Sequence, residues 1–165
     1  MHSILGKRSI STVVMALALL SWGITSHADS VQIGAMKDTT ILSNDTNLSN
    51  GAGVSIHVGR NNSNGLKRAL VYFDVASSVP AGANVTSALL RMSMDQTFFG
   101  AGSFTINLHT LTADSGEAGS VSAFMGGGQG TQAQASDATW AHNFYSTSLW
   151  SVVGGDFTAG SSAGT

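Results

Sequence analysis

The chain has 165 residues, of which 10% are charged, with no cysteine and a formal net charge of −2. The lack of cysteine excludes disulfides and thiol catalysis, so packing alone must hold the fold. The few basic residues form no cluster of the kind that binds nucleic acid or an anionic membrane surface. The length is that of one domain.

The first 28 residues have the three parts of a secretory signal peptide. Lys7 and Arg8 give a basic start, Ile10 to Leu20 is mostly apolar, and Ser26-His27-Ala28 places small residues where a signal peptidase cleaves. A membrane anchor is the alternative, but the apolar run is shorter than the about 20 residues that a spanning helix needs. We therefore predict a signal peptide over residues 1–28 and a single domain over 29–165. The mature protein is expected outside the cell, at the cell surface or in the periplasm.

Short β-strands are predicted in the first part of the mature chain. Val31 to Met36 and Asp38 to Leu42 have the composition of one or two strands, and Ser55 to Val58 alternates as another. Between them, Ser43 to Gly53 is rich in Asn, Asp, Ser and Gly and is predicted to be a loop. The pair Asn64-Gly65 favours a left-handed turn, so Val58 to Lys67 is predicted to be a hairpin.

Lys67 to Asp74 alternates over its whole length and is predicted to be the central strand, because strand side chains repeat every two residues. One face, which we assign to the core, carries Ala69, Val71 and Phe73. The opposite face carries Arg68, Leu70, Tyr72 and Asp74. A connection with the only proline of the chain, Pro80, leads to a second predicted strand over Val85 to Met94. Its apolar face carries Ala88, Leu90, Met92 and Met94, and Arg91 lies on the other.

The remainder of the chain alternates once more and then loses its pattern. Phe104 to Leu111 is predicted to be a strand, and Ala113 to Ser136, dominated by Gly, Ala, Ser and Gln, a long mobile surface loop. Trp140 to Trp150 is predicted to include a short helical turn. The end, Thr158 to Thr165, is predicted to contain no strand. These elements together predict an all-β fold.

A series of short motifs follows one another along the mature chain. They are Asp38-Thr39-Thr40-Ile41, Val58-Gly59-Arg60, Arg68 to Asp74, Val79 to Ala88, Ala113 to Glu117, Gly126 to Gly130, Asp137 to His142 and Gly154-Gly155-Asp156-Phe157. In this order they resemble the DNRLRE domain of secreted bacterial proteins, which is related to carbohydrate-binding module family 96. Members of that family continue past the Gly-Gly-Asp segment with further strands, so this chain is expected to be a truncated example.

The resemblance implies a jelly-roll-like antiparallel β-sandwich, incomplete at its C-terminus. It also implies a non-catalytic module that binds carbohydrate, with an acidic polysaccharide as one candidate ligand. A structural or adhesive cell-surface domain without a sugar ligand is the alternative. An enzyme is not expected, because no Gly-x-Ser-x-Gly elbow and no motif for a catalytic carboxylate pair is present.

Basic and aromatic side chains are the first candidates for a ligand surface. After residue 28, five basic and nine acidic side chains leave a net charge near −4. The candidates for contact with an acidic polymer are Arg60, Arg68, Tyr72 and Arg91, since Arg pairs bidentately with carboxylates. The alternative is that Arg68 and Arg91 only pair with Asp74 or Asp95. Trp140 and Trp150, with Tyr145 nearby, either stack on sugar rings or pin their loop to the core.

Four acidic residues of the loops are candidate calcium ligands. They are Asp114, Glu117, Asp137 and Asp156. Calcium takes six to eight oxygen ligands, so a cage of loop carboxylates suits it, but the close Asp-x-Asp-x-Asp spacing is missing. The alternative is four solvated acids. No cofactor is therefore required by the sequence, and calcium is the one that it allows. The expected partner is a polysaccharide or a cell-surface component.

Overall fold

The structure, a computed structural model, describes residues 29–97, 102–123 and 128–164, with side chains up to residue 160. Val31–Thr165 form one unit. The predicted signal peptide lies outside the described residues. Within them, no helix is long and apolar enough to cross a membrane.

The described part of the chain contains nine strands and one short helix. The strands are β1 (Lys37–Leu42), β2 (Leu48–Ser49), β3 (Gly59–Arg60), β4 (Leu66–Tyr72), β5 (Ile106–Leu111), β6 (Thr131–Gln132), β7 (His142–Phe144), β8 (Ser148–Leu149) and β9 (Phe157–Gly164); the helix is α1 (Val75–Ser78). They form four antiparallel sheets, ordered β1-β4-β3, β2-β6, β5-β9 and β7-β8. The prediction of an all-β fold is confirmed, and the arrangement is consistent with a β-sandwich.

The predicted central strand is confirmed as β4, the middle strand of the three-stranded sheet. It pairs with β1, Thr39 opposite Leu70, and with β3, Arg60 opposite Leu66. The predicted hairpin before it is also confirmed, because Asn64 adopts a φ of 62° and the Asn61 N–H donates to Gly65 O at 3.0 Å. The strand predicted over Ser55 to Val58 is wrong, since β3 begins only at Gly59.

The core lies on the face of β4 opposite to the one predicted. Leu70 is buried with Ile41, Ala138 and Trp150, while Leu111, Ala113 and Trp140 pack around them. Arg68 shares this face with Leu70, because strand side chains alternate. The assignment of Ala69, Val71 and Phe73 to the core is therefore wrong. Alternation defines two faces but does not say which one the rest of the chain will cover.

The strand predicted over Val85 to Met94 is not formed. These residues carry no strand in the structure, and their large apolar side chains are exposed, Leu89 by 77% and Met94 by 82%. Propensity favours a strand here, but a strand needs a partner that supplies hydrogen bonds. No hydrogen bond joins residues 84–97 to another described residue.

The C-terminal end does contain a strand, contrary to the prediction. β9 pairs with β5, and Leu108 lies opposite Ser162. A backbone of Gly, Ala and Ser can still form the ladder, because the hydrogen bonds come from the main chain. The predicted helical turn between Trp140 and Trp150 is also wrong, since β7 and β8 form a small antiparallel pair there.

The predicted loop from Ala113 to Ser136 is fastened to the core wherever it is described. Asp137 at its end is fully buried, and its carboxylate accepts hydrogen bonds from Ala118 N at 2.7 Å and Gln134 N at 2.8 Å. Gly116 N donates to Asn143 O at 2.8 Å. A side chain at Gly116 would collide with Ser136 O. These contacts contradict the prediction of mobility for the residues around Gly116 and Gln134.

Candidate functional site

A tight turn before β9 is built by two glycines and a carboxylate. Gly154 and Gly155 have φ values of 97° and 109°, which favour glycine. Asp156 closes the turn by accepting hydrogen bonds from Ser151 N at 2.9 Å and Val152 N at 2.7 Å. These hydrogen bonds, that from Ser151 first, lower the pKa of Asp156 below its usual range. The carboxylate is therefore charged at neutral pH.

Arg68 holds this turn against the sheet. Its Nη1 donates to Gly154 O at 2.6 Å, and its Cζ lies 4.8 Å from the ring centroid of Trp140 and 5.0 Å from that of Phe157. Partial burial lowers the pKa of the guanidinium. A side chain at Gly154 would come within 2.8 Å of Arg68 Nη1 and within 2.9 Å of the Trp140 ring. Only a glycine lets the turn approach so closely.

Phe157 joins this stack to the outer surface. Its ring is 39% exposed, and its centroid lies 4.9 Å from that of His109 on β5 at an interplanar angle of 56°. His109 Nδ1 is 2.9 Å from Thr158 O, so the two strands fix the imidazole beside the ring. Phe157 is therefore held between Arg68 and His109 with part of its area open to solvent.

An open depression of about 390 Å³ lies beside Phe157, and we call it the Asp156 cleft. It is lined by Thr112, Ala113, Ser151, Val152, Gly155, Asp156 and Phe157. Its polar groups are a hydroxyl at Ser151 and at Thr112 and the Asp156 carboxylate. Each carboxylate oxygen has a further lone pair beyond the backbone bond it accepts, so it can accept from a ligand hydroxyl. A concave site with an aromatic ring and a few polar groups is typical of small-ligand recognition.

The four residues predicted to bind an acidic polymer do not form one basic surface. Arg60 is exposed and its Nη1 donates to Asn64 Oδ1 at 2.9 Å within the hairpin. Tyr72 is 42% exposed, with Lys37 Nζ 5.0 Å from its ring centroid. Arg91 lies in the exposed segment that forms no strand. Arg68 is part-buried in the stack and pairs with neither Asp74 nor Asp95, so the interpretation of Arg68 as an ion-pair partner of these acids is wrong.

The two tryptophans have different surroundings. Trp150 is 5% exposed in the core, and its Nε1 donates to Thr139 O at 2.9 Å. It therefore pins its segment to the core and presents no ring to a ligand. Trp140 is half-buried, packs against the same core and stacks on Arg68. Of the predicted ligand residues, Trp140 and Arg68 are the two that contact the turn beside the Asp156 cleft.

The four predicted calcium ligands are each occupied by the protein. Asp114 Oδ1 pairs with Lys37 Nζ at 2.8 Å, Glu117 accepts from Asp38 N, and Asp137 and Asp156 accept the backbone bonds already described. Among the described residues, no group of three or more His, Asp or Glu side chains is placed to hold a metal ion. The acids therefore do not converge on one site, and the geometry gives calcium no support.

Sequence reasoning missed Phe157 and His109. The signal for Phe157 was present, because an aromatic residue directly follows the Gly-Gly-Asp turn. Nothing in the sequence indicates that β5 brings His109 to its side, since this contact depends on pairing between distant strands.

Comparison with known proteins adds no relative: no family model, no curated protein and no solved structure matches this chain.

Proposed function

We propose that this chain is a secreted, non-catalytic β-sandwich module that binds a polysaccharide in the Asp156 cleft. The observation that carries the proposal is the placement of a partly exposed aromatic ring, Phe157, beside a charged carboxylate in one open depression. A sugar ring has an apolar face that packs on an aromatic ring and hydroxyls that donate to a carboxylate. The cleft offers both partners at once.

The motif series described above supports the same proposal. Its resemblance to the DNRLRE domain and to carbohydrate-binding module family 96 implies carbohydrate binding, and the Gly154-to-Phe157 motif is the one that builds the cleft. The signal-peptide pattern of residues 1–28 supports secretion. The two lines of argument meet at Gly154 to Phe157, because this motif belongs to the series and also lines the cleft.

The charges of the cleft favour a neutral polymer over an acidic one. Asp156 stays ionised and would repel a uronic acid carboxylate at short range. No basic residue is among the described residues that line the cleft, and Arg68, which contacts the Phe157 ring, is stacked between two rings and already donates to Gly154 O. A neutral glucan or a similar uncharged chain meets no such repulsion.

The lining of the cleft also supports binding without catalysis. Glycoside hydrolysis requires two carboxyl groups that face each other across the scissile bond. Among the described residues, Asp156 is the one carboxylate that lines the cleft. Its pKa is lowered, whereas a general acid needs a raised pKa.

Affinity electrophoresis of the full chain tests the proposal directly. Native gels would contain a soluble neutral glucan, alginate or pectin, and mobility would be compared with a gel without polymer. We expect retardation by the neutral glucan. Phe157→Leu should abolish it, because an aliphatic side chain fills similar space but lacks the flat ring. Tyr72→Leu is the matched control, since Tyr72 is also an exposed aromatic residue but does not line the cleft.

Other outcomes would point elsewhere. Retardation by alginate and pectin alone, abolished by Arg60→Ala, would restore the acidic-polymer hypothesis. If no polymer retards the folded protein, the cleft is not a polysaccharide site and a structural or adhesive role takes its place. Circular dichroism of each variant separates a lost site from a lost fold.

A further inference from the structure

The 84–97 segment, residues 84 to 97, is exposed along its whole length. It includes Leu89, Leu90, Met92 and Met94, exposed by 77%, 40%, 57% and 82%. Single exposed apolar residues are normal on a protein surface, but a contiguous set of this kind marks an interaction site.

The backbone of the same segment is ready to pair. No hydrogen bond joins it to another described residue, and it carries no strand. Its sequence nevertheless alternates, with Leu90, Met92 and Met94 on one face and Leu89, Arg91 and Asp95 on the other. A segment whose N–H and C=O groups have no partner among the described residues can pair with another strand.

We propose that the 84–97 segment pairs antiparallel with the same segment of a second copy of this chain, around a twofold axis at Ser93. In this register Arg91 of each copy lies opposite Asp95 of the other, and Met92 opposite Met94. Directly opposite residues in an antiparallel pair share a face, so both ion pairs lie on one side. The inference is independent of the proposed polysaccharide site.

Charge complementarity favours a second copy of this chain as the partner and an antiparallel orientation of the two segments. A parallel pair in the same register would place Arg91 against Arg91 and Asp95 against Asp95, and like charges opposite each other destabilise a ladder. The antiparallel register satisfies both charges with no residue from outside the segment. The contact is also isologous, because each segment contacts the same segment of the other copy around the twofold axis.

The apolar side chains of the pair gather on one face. Met92 of each copy lies opposite Met94 of the other, and Leu90 is the diagonal neighbour of Met94 on the same face, so six apolar side chains form one strip. Burial of apolar area is the main favourable term in such association. The dimer therefore replaces the exposed row of each copy by a shared hydrophobic surface.

Charge reversal provides the first experiment. Sedimentation velocity of the full chain over a concentration series should show a dimer. Arg91→Asp or Asp95→Arg should weaken dimerisation by roughly tenfold or more, because two attractive contacts become repulsive. The double variant Arg91→Asp with Asp95→Arg should restore it. A monomer at all concentrations overturns the proposal, and so does a dimer that ignores both single changes or is not rescued by the double one.

A disulfide at the twofold axis provides the second experiment. The chain has no cysteine, so Ser93→Cys introduces a single thiol. Directly opposite Cα atoms in an antiparallel pair are about 4.5–5.5 Å apart, which suits a disulfide. Mild oxidation should link Ser93→Cys into a covalent dimer quickly and Ser87→Cys, in the same exposed segment but off the axis, slowly. Equal rates for the two variants would show random collision and overturn the register.

Discussion

Arg68 joins the turn before β9 to the sheet, a role that an ion pair has in many other proteins. The guanidinium of Arg68 lies between the rings of Trp140 and Phe157 and donates to the carbonyl of Gly154, with no carboxylate in the contact. Stacking on aromatic faces suits Arg, because its planar guanidinium is weakly hydrated. The positive charge is thus used to join β4 to the turn before β9, not to attract a ligand.

Removing this side chain should destabilise the fold. We expect Arg68→Ala to lower the free energy of unfolding by about 2–3 kcal/mol, as a charged hydrogen bond and two cation–π contacts are lost. Arg60→Ala is the matched control and should cost about 1 kcal/mol or less, since the hydrogen bond from Arg60 to Asn64 is exposed. Urea denaturation measures both. Equal effects would show that the stack contributes nothing to stability.

Glu117, an exposed loop acid that folding partly desolvates, gives a second residue-scale prediction. Burial raises the pKa of Glu117 above its usual value, and the charges of Asp38 and Asp137 act in the same direction, against the hydrogen bond from Asp38 N and the charge of Lys37. An acid whose pKa is raised by folding stabilises the fold when protonated. That stability is fully present below its unfolded-state pKa and is lost as pH rises through the folded pKa.

Glu117→Gln should therefore melt at a higher temperature than the unsubstituted chain near neutral pH. The difference should shrink as pH is lowered from about 7 to about 4, because Glu117 then becomes neutral by itself. Melting curves across this range measure it. Asp45→Asn, at an exposed loop carboxylate, is the control. A melting difference that stays constant with pH would show that desolvation of Glu117 does not govern the effect.

At the scale of elements, a carboxylate organises the long loop. Asp137 lies at the end of the segment that the sequence presents as a Gly-rich loop, and it accepts hydrogen bonds from both Ala118 N and Gln134 N. Tyr145 N donates to its carbonyl at 2.7 Å. The buried side chain of Asp137 thus fastens the two ends of the loop to each other, and its main-chain carbonyl links them to the residue between β7 and β8.

Asp137→Ala should be strongly destabilising, because it leaves two part-buried N–H groups without their partner. The cost of each such group is about 1–3 kcal/mol, so a loss of several kcal/mol in unfolding free energy is expected. Asp114→Ala should cost less than about 1 kcal/mol, since its pair with Lys37 is exposed. Denaturant titration compares the two. Similar small losses in both variants would mean that the loop does not depend on Asp137.

Sequence patterns predicted β1, β4, β5 and the Asn64 turn, because each depends on local alternation or on one backbone angle. They did not predict which face of β4 is covered. The sequence predicts Arg68 on the exposed face. In the folded chain, Trp140 and Phe157, which are distant in sequence, cover it. For the same reason the sequence does not predict the cleft. Asp156 is one of the four predicted calcium ligands, but its partners are backbone groups that only the folded turn supplies.

At the scale of the whole molecule, the residues that the structure describes form a small apolar core. Its fully or nearly buried apolar side chains are Ile41, Leu42, Leu70, Ala133, Ala138 and Trp150, and buried polar groups such as Thr39, Thr40 and Asp137 fill much of the rest. Within the described residues, every buried side-chain nitrogen or oxygen has a hydrogen-bond partner. Stability therefore rests on few large side chains and on a complete polar network.

Trp150 should be the most sensitive position of this core. Trp150→Ala should cost about 3–5 kcal/mol, a large part of the 5–15 kcal/mol that holds a typical domain together. Trp150→Phe keeps most of the apolar volume and loses the bond to Thr139 O, so a smaller cost is expected. Thermal melting ranks the variants. If the two changes cost the same, the hydrogen bond and not the packing governs this site.

The link between Arg68 and Gly154 spans 86 residues of sequence, and its consequence is an order of events in folding. Hairpin β3–β4 can form early, because its contacts are local. The core forms only when Trp150 and the turn before β9, which are distant in sequence, have packed against β4. Folds dominated by such distant contacts form in milliseconds to seconds, since loop closure costs entropy before any contact rewards it. A growing chain thus stays open until Trp150 and Gly154 have been synthesised, and the burial of Trp150 marks the moment at which the core closes.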